Sequence, residues 1–589
     1  MRKLLTIGLT LALVFSFACG GGDDASETAT TTSSETSSTA QAKAAAEPTK
    51  EEKTASSPSV NRSGGILLRS DPFGVPHSDP YSSKNGGASP GWYLSSAHNR
   101  LVEYAKPFNP TEGPVFVPSL ATDWNVSDDG TEWTFNLRPG VQWHDGETFD
   151  SADVVATFER ILDPDQAISP RVAVGLRKFL KSVTAVDDDT VVFNTGDEPS
   201  AVFLSYIANW YVPISPDHLI RGSGEEKWNF IEPLSVGTGP FIMKEHDPTT
   251  GITFERNPNY WQKDDEGNQL PYMDGINVTV EKDRTRVIAK FVTGQVHMTN
   301  PFYGLSVEEA EALVDQAGGK DKAVVYPQAH GFFYLMMNKD LPPFDNPKVR
   351  EAVHYAVNQQ EMFDKVLGAG IAGRWVNPEM APEAAISAEE FKGFAWNDFG
   401  NHSANVGKAK SLLAEAGHPD GIDLAQPILT SRFPLFENMY GIVVDQLREA
   451  GLRGETQAPE SAVSRQMALD GQFSYLFGAR GVTLLDATNG IILGATSFAP
   501  AVGSKPYAWE GQAKVDALYQ TANRTLDAQS RGMILKDLER FLQSPDLPVI
   551  PIGWTIQSIP TYRCVQNWIP GPGNFGQEHT VTWLLPECR

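Results

Sequence analysis

The apolar run from Leu4 to Phe17 divides this chain into a leader and a remainder that must fold outside the cytoplasm. The run is 14 residues long, follows the positive pair Arg2 and Lys3, and is too short to span a bilayer comfortably. No later stretch approaches a transmembrane length, so the chain is expected to be exported and not integral. The cleavage point reads in two ways. Ser16-Phe17-Ala18 puts small residues where an ordinary signal peptidase needs them, while Ala18-Cys19-Gly20 looks like a lipobox whose Cys19 becomes the lipidated first residue. Ser16 stands where a lipobox usually has an aliphatic residue, and Phe17 is bulky. The following tract is mostly Ala, Ser, Thr, Glu and Lys, buries too little apolar surface to order itself, and suits a tether. We therefore expect a signal peptide over 1–18, lipidation at Cys19 and a disordered tether over 19–64.

What remains is too long for one hydrophobic core, so two or three packed lobes are expected from the 589 residues. The formal charge of −25 argues against nucleic acid or an anionic membrane surface as a partner, since both need a basic face. Only Cys564 and Cys588 follow Cys19, and in an exported chain such a pair points to a disulfide, with no zinc-type spacing.

Past the tether, strand and helix signals alternate. ILLRS after Gly65 is strand-like, and a polar, Pro-rich segment follows it. Asp129-Gly130 marks a tight turn before a strand on which Trp133, Phe135 and Leu137 alternate with polar residues. Ser151 is expected to cap a helix whose apolar face is Val154, Val155, Phe158, Ile161 and Leu162, with Pro164 ending it. Ser235 to Phe241 (SVGTGPF) reads as a Gly-rich turn into a strand, its glycines taking backbone angles other residues resist. Asn346 caps and Pro347 starts a helix with Val349, Ala352, Val353, Ala356 and Val357 on one face. Further helices are expected over 408–416, 435–450 and 527–543, the first two stopped by Gly417 and Gly451. No internal repeat appears, and the pattern is α/β or α+β, helices on mixed sheets.

Six pieces of this pattern, in order, resemble the family 5 extracellular solute-binding proteins, which include oligopeptide- and dipeptide-binding components of ABC importers. They are PSLATDWNVSDDGTEWTFNLRPGVQWHDGETFDSADVVATFERILDP, SVGTGPF, FERNPNYW, LPYMDGI, MNKDLPPFDNPKVREAVHYAVNQQEM and the VDQLREAGL helix. The resemblance covers about 65–589 and implies a two-lobed periplasmic-binding-protein clamshell with an extra subdomain inserted in the first lobe. On that pattern the first lobe comprises 65–113 and 230–326, the inserted subdomain 114–229 and the second lobe 327–549, with 550–589 returning to the first. Crossings near 326 and 550 would form the hinge, with the ligand held between the lobes. The function implied is that of an importer's substrate-binding lipoprotein, capturing oligopeptides or a similar solute and handing it to a permease in the cytoplasmic membrane. An oligosaccharide receptor of the same fold is the alternative, and a monomer held to the membrane by its lipid alone is expected.

In the peptide-binding members, a second-lobe strand and loop carry an aspartate that grips the ligand's free amino terminus, because a charged amine in a dry cleft needs a paired carboxylate. The matching stretch here is Phe473 to Ile491. Thr483 falls at that aspartate, Arg480 near a tryptophan of the relatives, and Asp486 at an aspartate that often follows three residues later. Arg480 offers the opposite chemistry, a fork of donors suited to a carboxylate or another anion. Trp210, Trp375 and Trp554 are candidate aromatic walls of the cleft. No enzyme is expected, because HExxH, Gly-x-Ser-x-Gly and Walker motifs are lacking. Gly368 to Gly373 fits GxGxxG but follows a helix instead of a strand, so the dinucleotide reading fails on context. No cofactor or metal is expected, and His144 in the WHDG turn reads as a turn hydrogen bond and not as a metal ligand.

Overall fold

The computed structural model describes residues 61–82, 95–106, 114–166, 168, 170–221, 235–432, 434–481, 484–494, 509–545, 547–568, 570–571 and 579–589. The expected leader, Cys19 and all but the last four residues of the expected tether lie outside them. Among the described residues no helix is long and apolar enough to cross a membrane.

The architecture is two-lobed, with mixed sheets and helices, and three sheets organise it. The first is four-stranded. Ile66–Asp71 lies parallel to Gly275–Val280 (Ile66 opposite Gly275), and Gly251–Arg256 and Phe241–Asp247 extend it antiparallel. The second, also four-stranded, lies within 114–229 and runs Ala121–Val126, Glu132–Leu137, Thr190–Asn194, Ser182–Asp187. Trp133, Phe135 and Leu137 face inward as their alternation requires. Phe135 and Phe158 make T-shaped contacts with Phe193 at 5.4 and 4.7 Å, and each such buried ring contributes about 1.5–3 kcal/mol.

The third sheet has six strands, in the order Gly370–Ala372, Val549–Tyr562, Ala323–Met337, Tyr475–Gly481, Ile428–Leu429, Thr456–Gln457. Two of these exceed an ordinary strand length, Ala323–Met337 with 15 residues and Val549–Tyr562 with 14. They pair antiparallel from Ala323 opposite Tyr562 to Met336 opposite Val549, with register shifts between Ala329 and Phe332 and between Phe333 and Tyr334. One end of the pair reaches the first sheet through bridges from Arg69 to Met298 and from Met298 to Thr561. Its other end is the centre of the six-stranded sheet.

The helix Pro347–Ala356 is capped by Asn346 as read, and Val349, Ala352, Val353 and Ala356 are fully buried. Three local expectations need correction. The helix Ser151–Leu162 is capped by Asp150, not Ser151: Asp150 accepts from the Ala152 N–H at 2.8 Å, and Asp153 reaches back to the Asp150 N–H at 3.0 Å. The helix expected from 408 begins at His402. Gly237 and Gly239 serve close approach and not unusual backbone angles, since a Cβ on either would lie within 2.4 Å of the Ala97 backbone.

His144 locks the same contact. Its Nδ1 accepts the Gly237 N–H at 3.2 Å, so its Nε2 donates to the Gly239 carbonyl at 3.0 Å, and burial pulls its pKa down to about 4. His98, hydrogen-bonded to Ser235, is lowered to about 3 by burial and the neighbouring His144. Burial lowers His297 to about 4.

The first and the last described residues meet. Arg589 donates to the Asn61 and Leu584 carbonyls, and Cys564 is disulfide-bonded to Cys588 with Cα atoms 5.9 Å apart.

These histidines set an acid limit. Their folded pKa values lie below the ordinary 6.5, so between pH about 6.5 and 4 the unfolded chain takes protons that the fold refuses. Stability is complete above that window and falls within it, by up to about 1.4 kcal/mol per pH unit for each histidine. Asp153, raised by burial to about 6, opposes the trend together with Glu379 and Glu383, which burial also raises, while Glu309, Glu361, Glu390 and Glu415, held low by their partners, add to it. Denaturant midpoints at stepped pH should fall below pH about 6.5, and His144→Gln should flatten the slope.

Candidate functional site

The stretch expected to contact the ligand departs from the six-stranded sheet. Arg480 lies in the strand Tyr475–Gly481 opposite Phe332, while Thr483 and the Arg480 side chain lie outside the described residues. From there the chain enters the helix Thr488–Gly494, which Asp486 prepares by accepting the Thr488 N–H at 2.9 Å and the Thr488 hydroxyl.

Asp486 does not present a free carboxylate. It is 6% exposed and pairs with Arg531 at 2.9 Å. Burial alone would raise its pKa, but the Arg531 guanidinium and the Thr488 bonds outweigh that and hold it below the usual carboxylate range. Arg531 in turn is held above its ordinary value by Asp486, with a smaller effect from Glu383, against the pull of burial. Burial, then the Asp486 charge, pushes Glu383 upward.

Around this pair, segments distant in sequence touch through tyrosines. Tyr104, from the strand Val102–Tyr104, donates to the Ser205 carbonyl at 3.2 Å and is hydrogen-bonded by the Leu485 backbone. Tyr206 and Tyr519 both feel the Asp486 charge, and burial pushes Tyr519 up to about 12. All these phenols stay protonated at neutral pH. The described junction is therefore a buried, balanced ion pair ringed by neutral hydroxyls.

The tryptophans separate. Trp375 and Trp554 are buried in the core. Each is at most 1% exposed, packs on Phe332 at 5.6 and 5.1 Å, and gives its indole N–H to a backbone carbonyl, of Leu542 and Arg374 respectively. Next to them a second buried pair, Arg374 with Glu539 at 3.0 Å, fixes the helix Ala528–Leu542 that carries Arg531. Trp210 is 2% exposed, its ring tilted against Tyr211 at 3.9 Å, and its indole N–H has no partner among the described residues. Among the described residues no three His, Cys, Asp or Glu side chains are grouped to hold a metal ion.

Sequence reasoning missed Arg531, Tyr104, Tyr206 and Tyr519. Arg531 lies 45 residues from Asp486, and no spacing rule joins a loop acid to a base on a later helix.

Residues 115–499 match the family model described as bacterial extracellular solute-binding proteins, family 5 Middle. The heme-binding protein A of Haemophilus influenzae is 26% identical over 510 residues, 82% of this chain and 86% of that protein. The di/tripeptide-binding protein 1 of Pseudomonas aeruginosa is 26% identical over 505 residues, 82% of this chain and 88% of that one. The periplasmic binding protein DppA of Helicobacter pylori, solved with the peptide STSA, superposes with a TM-score of 0.69 at 20% identity. The match covers 89% of this chain and 99% of that one.

Removing Arg531 should strand a buried charge, so Arg531→Met should cost about 3–5 kcal/mol, as for other broken buried pairs. Removing both charges, in Asp486→Leu with Arg531→Met, should recover most of the loss. Equal melting points for the single and the double variant would show that the pair is not coupled.

Proposed function

The chain belongs to the bacterial extracellular solute-binding proteins of family 5, and from that premise we propose that it captures a peptide or peptide-like solute between its lobes and delivers it to an ABC permease. The observation that carries the reading is the pair of long strands running through both lobes. Such a pair lets two rigid bodies swing about a shared seam and shut on a solute. The peptide class is supported by the relatives named for peptides. The protein returns its solute unchanged, and its role ends at delivery.

The solute's preferred form follows from the charges. Asp486 is already committed to Arg531 and Thr488, and Thr483 replaces the aspartate of the peptide-binding members. An ammonium group at this loop gains no carboxylate, while the Arg480 fork favours an end that is blocked, neutral or anionic. The mature protein starts at a lipidated Cys19 and works outside the cytoplasmic membrane on its tether.

Titration calorimetry with tri-alanine and tetra-alanine, each free and N-acetylated, tests the ligand assignment. The acetylated peptides should bind tighter, the lost amine costing about 2–5 kcal/mol. Tighter binding of the free peptides would reverse the charge argument, and binding of none would remove the peptide class. For the anchor, Cys19→Ala should release the protein from membranes with solute binding intact. Retention of that variant after a salt wash would place the anchor elsewhere.

A further inference from the structure

The lobes also meet away from their shared strands, at a rim where the inserted subdomain reaches the link between the helices Gln512–Arg524 and Ala528–Leu542. Ala201 donates its backbone N–H to the Asn523 carbonyl at 2.7 Å. Glu198 pairs with Arg524 at 2.6 Å. Leu526 and Pro199 both lie against Gly130 in the Asp129-Gly130 turn. A Cβ on Gly130 would come within 2.6 Å of Leu526 Cδ1 and 2.7 Å of Pro199. Gly130 has φ +75°, so the bare residue both turns the hairpin and leaves a seat for Leu526. None of these residues belongs to the long strands or to the 473–491 stretch.

The rim is built for release. Glu198 and Arg524 keep 55% and 45% of their side-chain surface in water, and Leu526 keeps 39%. An exposed ion pair contributes little net free energy, and one peptide hydrogen bond exchanges nearly evenly with water. Contacts this thin do not fuse two bodies. They bias an equilibrium whose open and shut states lie close in free energy.

We propose that Ala201, Glu198 and Gly130 on one side, with Asn523, Arg524 and Leu526 on the other, form a closing latch that sets solute affinity without touching the solute. The proposal rests on the solute-binding reading above. Apparent affinity is the intrinsic affinity of the shut form scaled by the fraction of molecules that are shut. Weakening the latch lowers that fraction, so every solute should lose affinity by the same factor. The loss should fall on dissociation, because the solute enters the open form, which lacks the latch.

The test is Arg524→Gln combined with Leu526→Ser, exposed positions whose replacement leaves the fold's melting point in place, beside the milder Glu198→Gln. For N-acetylated tri-alanine and tetra-alanine the double variant should bind roughly 3- to 10-fold more weakly, with the same factor for both and a faster off-rate. Small-angle scattering without solute should show a larger radius of gyration than the unaltered protein, and with saturating peptide an equal one. Unchanged affinity and radius would mean that the rim is static packing. Different factors for the two peptides would mean that these side chains contact the solute. Either result overturns the latch. If the unaltered protein binds neither peptide, the peptide reading falls by itself, and the solute-free radius alone decides the latch, an unchanged radius overturning it.

Discussion

Everything else in this fold depends on one backbone ladder, the antiparallel pairing of Ala323–Met337 with Val549–Tyr562. A strand hydrogen-bonds its neighbours along its whole length, so a pair this long can serve two sheets at once. At one end it adjoins the sheet of Ile66–Asp71, and at the other it is the spine of the six-stranded sheet. Neither lobe can be completed without it. The register shifts fall in the middle of the pair, where Thr555 fills the gap by accepting the Gly331 N–H at 3.1 Å. Bulges there disrupt the ladder in the middle of the pair and leave the paired ends regular.

Two buried ion pairs that share one helix fix the segment after Tyr475–Gly481. Ala528–Leu542 contributes Arg531 to Asp486 and Glu539 to Arg374. Glu539 also accepts the Ile386 N–H at 2.8 Å, and Arg374 donates to the Ile386 carbonyl. Pairs this deep cost desolvation that their attraction only repays when the geometry is good, so their net stabilisation is small. Their effect is positional, because a misplaced loop would leave charges buried without partners. The loop after Tyr475–Gly481 is thereby held by charges on one side and by the Trp375 and Trp554 core on the other.

Much of this was legible in the chain. Period-two alternation at Trp133, Phe135 and Leu137 and the Asn346-Pro347 helix start are local signals, and each is decided by residues within a few positions. The ordered pieces conveyed the fold because turn and packing chemistry repeats across the family. Where choices were local but close, the reading slipped. Asp150 and Ser151 are both good caps, and the reciprocal bond from Asp153 selects the first. Partners distant in sequence were not legible at all. The Arg531 partner of Asp486 lies on a later helix, and the indoles of Trp375 and Trp554 give their N–H to backbone carbonyls that no pattern reveals.

The meeting of Asn61 with Arg589, and the return of Val549–Tyr562 beside Met298, have a consequence for biogenesis. A secreted chain emerges amino end first, over seconds, and its early segments search for partners as they appear. Here the first lobe's strands Ile66–Asp71 and Gly275–Val280 emerge early, yet the strand that joins them to the second lobe is among the last to arrive. Contacts so far apart in sequence form late and slowly. The first lobe must wait, half built and with an open sheet edge, until nearly the whole chain has crossed the membrane.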